Sequence, residues 1–364
     1  MKKTRTSADR LRYLDWLRGV GAVIMLQGHA FDSLLRNDLR PGSAFTISQF
    51  VGGMPPAIFL FLTGVTLGFL MDSTERKGLA PGERVLTAFR RSGYLFLLAF
   101  AFRIQLWLFS QPAPWQDLFR VDILNCMGLA IALISVMAFF RTIERVRLCA
   151  VMGLAIAFLS PVVSQIDVSR VPFLVRNYLV PDYHFFAFFP WGAYLAFGVS
   201  AGSLIRVTPH EAIDRVMQWA AIVGGALILA CQYFGNIPFS IYTKSEFWLN
   251  SPAQVLTKQG VTLLILALAY LWTRNTGRDG WSWVRQLGTT SLLVYWVHIE
   301  LVYGHWLWFW KGNLNVPQTV AAAIALILLM LMLSAAKTYR RRIAAAISQM
   351  GWWAGPKPER VPGD

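Results

Sequence analysis

Residues 12–32 read Arg12-Tyr-Leu-Asp15-Trp-Leu-Arg18-Gly19-Val-Gly-Ala22-Val-Ile-Met-Leu-Gln27-Gly28-His29-Ala-Phe-Asp32. At about 100° per residue, Asp15, Arg18, Ala22, His29 and Asp32 share one side of a helix. At about 1.5 Å of rise per residue, Asp15 and His29 stand about 20 Å apart along the axis. A polar stripe of that length crosses most of a bilayer. Ionisable groups at such depth are costly, so a functional site is the first reading. The alternative is a packed bundle whose polar groups satisfy one another, with Asp15 and Arg18 simply pairing.

The rest of the chain says what kind of protein carries this helix. Of 364 residues, 55% are hydrophobic and only 15% charged, and the mean hydropathy is +0.47. A soluble domain carries nearer a quarter charged residues. The apolar residues come in long blocks, which predicts an all-α polytopic membrane protein. About ten transmembrane helices in one bundle are expected, over 13–34, 47–71, 88–109, 122–140, 147–164, 185–205, 215–236, 254–273, 288–310 and 317–337. The expected organisation is one transmembrane domain, 1–345, and a loosely ordered cytoplasmic tail, 346–364. Pro190 is expected to kink the sixth span. Tryptophans near span ends, Trp191 and Trp248 among them, read as an interfacial belt. The basic start, Met1-Lys2-Lys3-Thr-Arg5, precedes a run that holds His29 and Asp32 and lacks a clean cleavage site, so it reads as a retained helix.

Charge supplies the orientation. The formal net charge is +15. In a membrane chain this points to loops facing anionic lipid and away from nucleic acid. Counted from a cytoplasmic N-terminus, the inside loops hold Arg76, Lys77, Arg84, Arg90 and Arg91, then Arg141, Arg145 and Arg147, then Arg206 and Arg215, then Arg274, Arg278 and Arg285. The tail adds Lys337, Arg340, Arg341 and Arg342. The outside loops are poorer, with Arg36, Arg40, Arg120, Arg170, Arg176, Lys244 and Lys311. A multi-pass protein of the cell (inner) membrane with both termini in the cytoplasm is therefore expected. Cys126, Cys149 and Cys231 lie in apolar stretches and read as small buried hydrophobes. No tight metal-ligand spacing appears, so no metal is expected.

Two constellations could carry chemistry. Asp32 follows His29 by three residues and can reach the same face; a carboxylate beside an imidazole fixes its tautomer, as a general base requires. A salt bridge at the helix end is the alternative. In the ninth span Ser291, Tyr295, His298 and His305 share a face and Glu300 points elsewhere. His298 lies mid-span and should face a partner or a cavity, though a helix–helix hydrogen bond is the plain alternative. Arg103, Asp122, Asn125 and His184 gather further polar groups near the outer face.

Three short motifs then stand in order along the chain. Arg12-x-x-Asp15-x-x-Arg18-Gly19 leading to Gly28-His29 resembles the opening helix of membrane acyltransferases related to heparan-α-glucosaminide N-acetyltransferase, and is similar to that of the acyltransferase-3 group of sugar O-acyltransferases. Phe59-Leu-Phe-Leu-Thr-Gly64-Val-Thr-Leu resembles their second-helix motif, and Thr289-Thr-Ser291-Leu-Leu-Val-Tyr295-x-x-His298 a late-helix motif of the heparan-type branch. The resemblance implies transfer of an acyl group, usually acetyl, from acyl-CoA to a sugar or glycan hydroxyl or amine, with membrane lipid, acyl-CoA and the glycan as partners and a homodimer left open. The family's essential first-helix histidine maps onto His29. With that implied, His29, Asp32 and His298 are the expected catalytic set. Arg18, Arg84, Arg90, Arg91 and Tyr295 are assigned to the acetyl-CoA donor, and Arg103, Asp122, Asn125 and His184 to the acceptor. The oxyanion donor is Tyr295 or His298, and an acyl-histidine intermediate stays open. The competing class is a non-enzymatic transporter or lipid-handling protein, where polar stripes are equally normal. No paired half-helix breaks or inverted repeat speak for it.

Overall fold

The computed structural model describes residues 12–110, 112–168, 170–237, 240–276 and 280–349. It is all helical among these residues, apart from one isolated bridge between Leu35 and Leu314. The helices are α1 (Arg12–Leu34), α2 (Ser43–Gly52), α3 (Pro55–Arg76), α4 (Pro81–Phe109), α5 (Ile123–Ile134), α6 (Thr142–Val163), α7 (Phe173–Leu179), α8 (Phe188–Val207), α9 (Ile213–Gly235), α10 (Pro252–Asn275), α11 (Trp283–Thr289), α12 (Ser291–Tyr303) and α13 (Val316–Gln349). Among the described residues seven segments are long and apolar enough to cross a membrane, counting Ser43–Arg76 as one. Ile123–Phe139 and Ser291–Tyr303 are shorter apolar helices. With α1, which carries Arg12, Asp15, Arg18 and Asp32, these occupy the ten expected segments.

Several expected spans are broken, each where the chain chemistry demands it. The second is two helices, because Pro55 and Pro56 sit at the start of α3 and cannot continue α2. The ninth divides into α11, α12 and a 3₁₀ turn, His305–Trp310, behind Gly304. Pro190 does not kink a running helix. Phe189 before it is extended (φ −89°, ψ 126°), so regular helix begins at Pro190. The final helix runs through Gln349, past the expected start of the tail, and residues 350–364 lie outside those described, as does Arg278.

α1 is the central post, packing against α2, α3, α10, α11, α12 and α13. Leu17, Ala22, Leu26 and Ala30 are fully buried along it. Close approach to α2 needs glycine: a Cβ on Gly28 would stand 3.0 Å from Gly52 Cα. Gln27 and Ser48 hydrogen-bond across this contact, and Gln49 Nε2 donates to the Gly28 carbonyl at 3.0 Å. One end of the bundle is tied by acids on α3. Asp72 takes Arg206 Nε at 2.6 Å and Arg76 Nε at 3.0 Å, and Glu75 takes the fully buried Arg145 at 3.1 Å. A buried pair holds its partners strongly because separating them leaves a bare charge. This is the basic end; the cavity described next opens toward the other.

Candidate active site

The C-terminal half of α1, the start of α3, the ends of α4 and α12, and the loops entering α5 and α8 enclose a cavity of about 360 Å³. His29, Asp32, Arg103, Asp122, His184 and Tyr295 all line it. Six residues expected from separate parts of the sequence thus meet in one place.

The histidines meet directly. His29 Nδ1 lies 2.9 Å from His298 Nε2, with the rings stacked at 5.1 Å and 12°. His298 Nδ1 lies 2.7 Å from the Val294 carbonyl oxygen. A carbonyl only accepts, so His298 Nδ1 carries its proton. With both rings neutral, His298 Nε2 is then an acceptor and His29 Nδ1 must donate to it. The chain of bonds leaves the lone pair of His29 Nε2 unused, and His29 lines the cavity. An unprotonated imidazole nitrogen held in one orientation is what a general base needs.

Asp32 makes no hydrogen bond to His29 among the described residues. Its Oδ2 accepts from Tyr303 Oη at 2.8 Å, and Tyr303 sets its ring edge-on to His29 at 5.3 Å. The expected carboxylate–imidazole pair is replaced because α12 brings both His298 and Tyr303 against this face of α1. His305, expected on the same face, falls in the 3₁₀ turn beyond the end of α12 and is exposed. Tyr295 stands between Phe102, at 5.4 Å, and His298, at 5.9 Å, on the cavity wall.

At the mouth, Arg103 donates from Nε and Nη2 to the Asp117 carbonyl, at 3.1 and 2.5 Å. Asp122 caps α5 through Oδ1, accepting from Leu124 N and Asn125 N at 3.0 and 3.1 Å, and its buried Oδ2 accepts no hydrogen bond among the described residues. His184 is largely exposed and bonds Asp182 at 3.1 Å. Asn125 is the exception: it is fully buried, donates to Tyr178 Oη at 3.0 Å, and lies off the cavity lining.

A second recess, about 460 Å³, sits at the basic end between α1, the α11–α12 junction and α13. It is lined by Asp15, Arg18, Thr289, Thr290, Ser291 and Lys337. Arg18 pairs with Asp15 at 2.9 Å. Arg90 and Arg91 are exposed on α4, and Arg91 is within electrostatic reach of Arg18. Arg84 is not free as expected. It is buried, donates to the Phe139 carbonyl at 2.9 Å and lies 3.7 Å from Glu75. Sequence reasoning missed Tyr303 and Lys337. Tyr303 lies in the same run as His298, eight residues past Tyr295, but only the tertiary contact with Asp32 marks it. Among the described residues no group of three or more His, Cys, Asp or Glu is placed to hold a metal ion.

A family model described as heparan-alpha-glucosaminide N-acetyltransferase, catalytic, matches residues 10–246. His29, Asp32, Arg103, Asp122 and His184 lie inside the matched stretch; Tyr295, His298, Tyr303 and Lys337 lie beyond it. No curated protein matches the chain.

Proposed function

The chain belongs to the heparan-alpha-glucosaminide N-acetyltransferase catalytic family, and from that premise we propose that it moves an acyl group, acetyl first of all, from acyl-CoA to an amine or hydroxyl of a sugar or glycan, with His29 as the base. The family makes it a membrane-embedded transferase. The donor, the base and the acceptor are our reading.

The observation that carries the reading is the bonded pair His29–His298, with the buried His298 behind His29 and His29 on the wall of a cavity that has polar groups at its mouth. The acceptor enters between Arg103, Asp122 and His184. His29 Nε2 takes the proton from the attacking N–H or O–H as the new bond to the thioester carbonyl forms. Negative charge moves to the carbonyl oxygen, the C–S bond breaks, and the imidazolium returns the proton to the departing thiolate. His298 is unsuited to the oxyanion, since Val294 and His29 use both its nitrogens. Tyr295, on the cavity wall beside His298 and with no hydrogen bond to its hydroxyl among the described residues, takes that role. No acyl-histidine is needed.

The donor's phosphates suit the basic recess. Arg18 and Lys337 supply charge, and the N-terminal turn of α12, which lines the recess, favours an anion. Arg91 lies nearby, and Arg90 shares its exposed face. Arg18 and His29 are eleven residues apart on one helix, about 16 Å, a span an extended pantetheine arm can cross. The test is turnover by the reconstituted protein given acetyl-CoA and a panel of amino and neutral sugars. Acetylated sugar and free CoA should appear together. His29→Ala should lose about 10²–10⁴-fold in rate while still binding CoA. Near-normal turnover by that variant would end the mechanism, and no CoA binding by the native protein would end the donor assignment.

A further inference from the structure

α10 carries one lysine inside a membrane-spanning helix, Lys258, six residues past its first residue. That sets it about 9 Å below the end of the bundle where the cavity opens. Its ammonium lies 5.1 Å from the centre of the Trp191 ring, on α8. A Cβ built on Gly53, at the break between α2 and α3, would lie 3.6 Å from Lys258 Nζ. Among the described residues no carboxylate reaches salt-bridge distance and no side-chain hydrogen bond engages the ammonium. The ammonium is not sealed from solvent. Trp191 itself, expected in an interfacial belt, is drawn inward between Lys258 and Phe186, with Phe186 5.1 Å away on the cavity wall.

We propose that Lys258 anchors a phosphate-binding site at the bilayer edge, taken by the headgroup of an anionic phospholipid in the leaflet on the cavity side. A cation at membrane depth is retained where it has a partner, and one aromatic face is the weaker part of such a partnership. The surroundings fit a lipid. Phe50 and Trp248, both exposed, pack edge-to-face at 6.1 Å over the same corner. The Trp248 carbonyl is tied to Gln254 on the first turn of α10. Aromatic rings at that level sit with their edges toward headgroups and their faces toward acyl chains. An ammonium below them meets a phosphate oxygen without a counter-ion of its own to displace. The site stands next to Gly52, which lines the cavity. A bound headgroup therefore braces the α2–α3 break beside the cavity wall.

The test uses the whole chain in phosphatidylcholine nanodiscs with and without phosphatidylglycerol, read by thermal stability. The midpoint should rise with the anionic lipid. Lys258→Gln should need about fivefold more phosphatidylglycerol for the same rise, the worth of one basic side chain at an anionic surface. Lys258→Arg should keep the native response. Lys77→Gln, at the other end of the bundle, should keep it too and so subtract the general attraction of a basic protein. Glycerol 3-phosphate added to discs of phosphatidylcholine alone distinguishes the source. Stabilisation by lipid only identifies the headgroup; stabilisation by both identifies a site that also takes soluble phosphate esters. In native mass spectrometry the unmodified protein should retain phosphatidylglycerol at energies that strip phosphatidylcholine. An unchanged response in Lys258→Gln, or no selective retention by the native protein, overturns the proposal. None of these readouts depends on acyl transfer, so the proposal stands or falls apart from the reading of the cavity.

Discussion

His298 spends one ring nitrogen on His29 and the other on its own helix, and this makes it a positioning residue. Its Nδ1 is pinned to a helix carbonyl one turn back, and its Nε2 receives His29 Nδ1. Removing it should leave His29 in place but free to adopt either tautomer. His298→Ala should therefore lower kcat by roughly 10–100-fold, by analogy with the loss of an outer hydrogen bond at a metal-bound histidine. KM for the donor should hardly move. The double variant His29→Ala/His298→Ala should be no slower than His29→Ala alone, because the two act as one unit. Multiplying losses in steady-state kinetics would mean that His298 has its own contact with substrate. Asp32→Asn should cost less than either single variant, since its carboxylate serves Tyr303. Both histidines were legible in the sequence as polar residues within apolar runs. Their bond was not, because it joins positions 269 residues apart. Asp32 was assigned to the imidazole on helix spacing alone, and Tyr303 from another helix took the carboxylate. Lys258 hid in a span that otherwise reads as plain apolar helix.

The breaks between elements matter as much as the helices. Gly53 and the two prolines of α3 stop α2 just where its last residue, Gly52, reaches Gly28 beside His29. A continuous second helix, as periodicity suggests, would carry that backbone past α1 and leave the cavity without its wall. Periodicity sees the apolar face but not the partner that selects a break, so span existence was readable and span continuity was not. The contact itself is testable. Gly52→Val puts a Cβ 3.1 Å from Gly28 Cα and adds two methyl groups beyond it. Overpacking of this kind costs about 1–3 kcal/mol, so thermal unfolding should shift down and acceptor KM should rise. Gly82→Ala on α4, where a Cβ meets nothing within 4 Å, is the matched control and should leave both unchanged. Equal behaviour of the two variants would mean that α2 has room to move on α1.

At the scale of the whole chain, the charge map and the fold can be set against each other. The alternation of Lys and Arg between loops predicts both termini in the cytoplasm. Part of that charge has a second use: Arg76, Arg84, Arg145 and Arg206 join the acids of α3 at the basic end. Lys77, Arg90, Arg91, Arg141, Arg147, Arg215, Arg285 and Lys337 stay on that end, and none of them has a carboxylate within salt-bridge distance among the described residues. The opposite end keeps Arg36, already paired with Asp38 at 2.5 Å, and a few others. On that predicted orientation the recess of Arg18 and Lys337 would face the cytoplasm and the mouth with His184 the other side. Reporter fusions after Lys77 and after Asn275 should report the cytoplasm, and fusions after Arg120 and after Asn313 the outside. An outside signal from either of the first pair inverts or miscounts the bundle. The donor would then face the wrong compartment, and the whole transmembrane reading of the reaction would have to be rebuilt from the cavity alone.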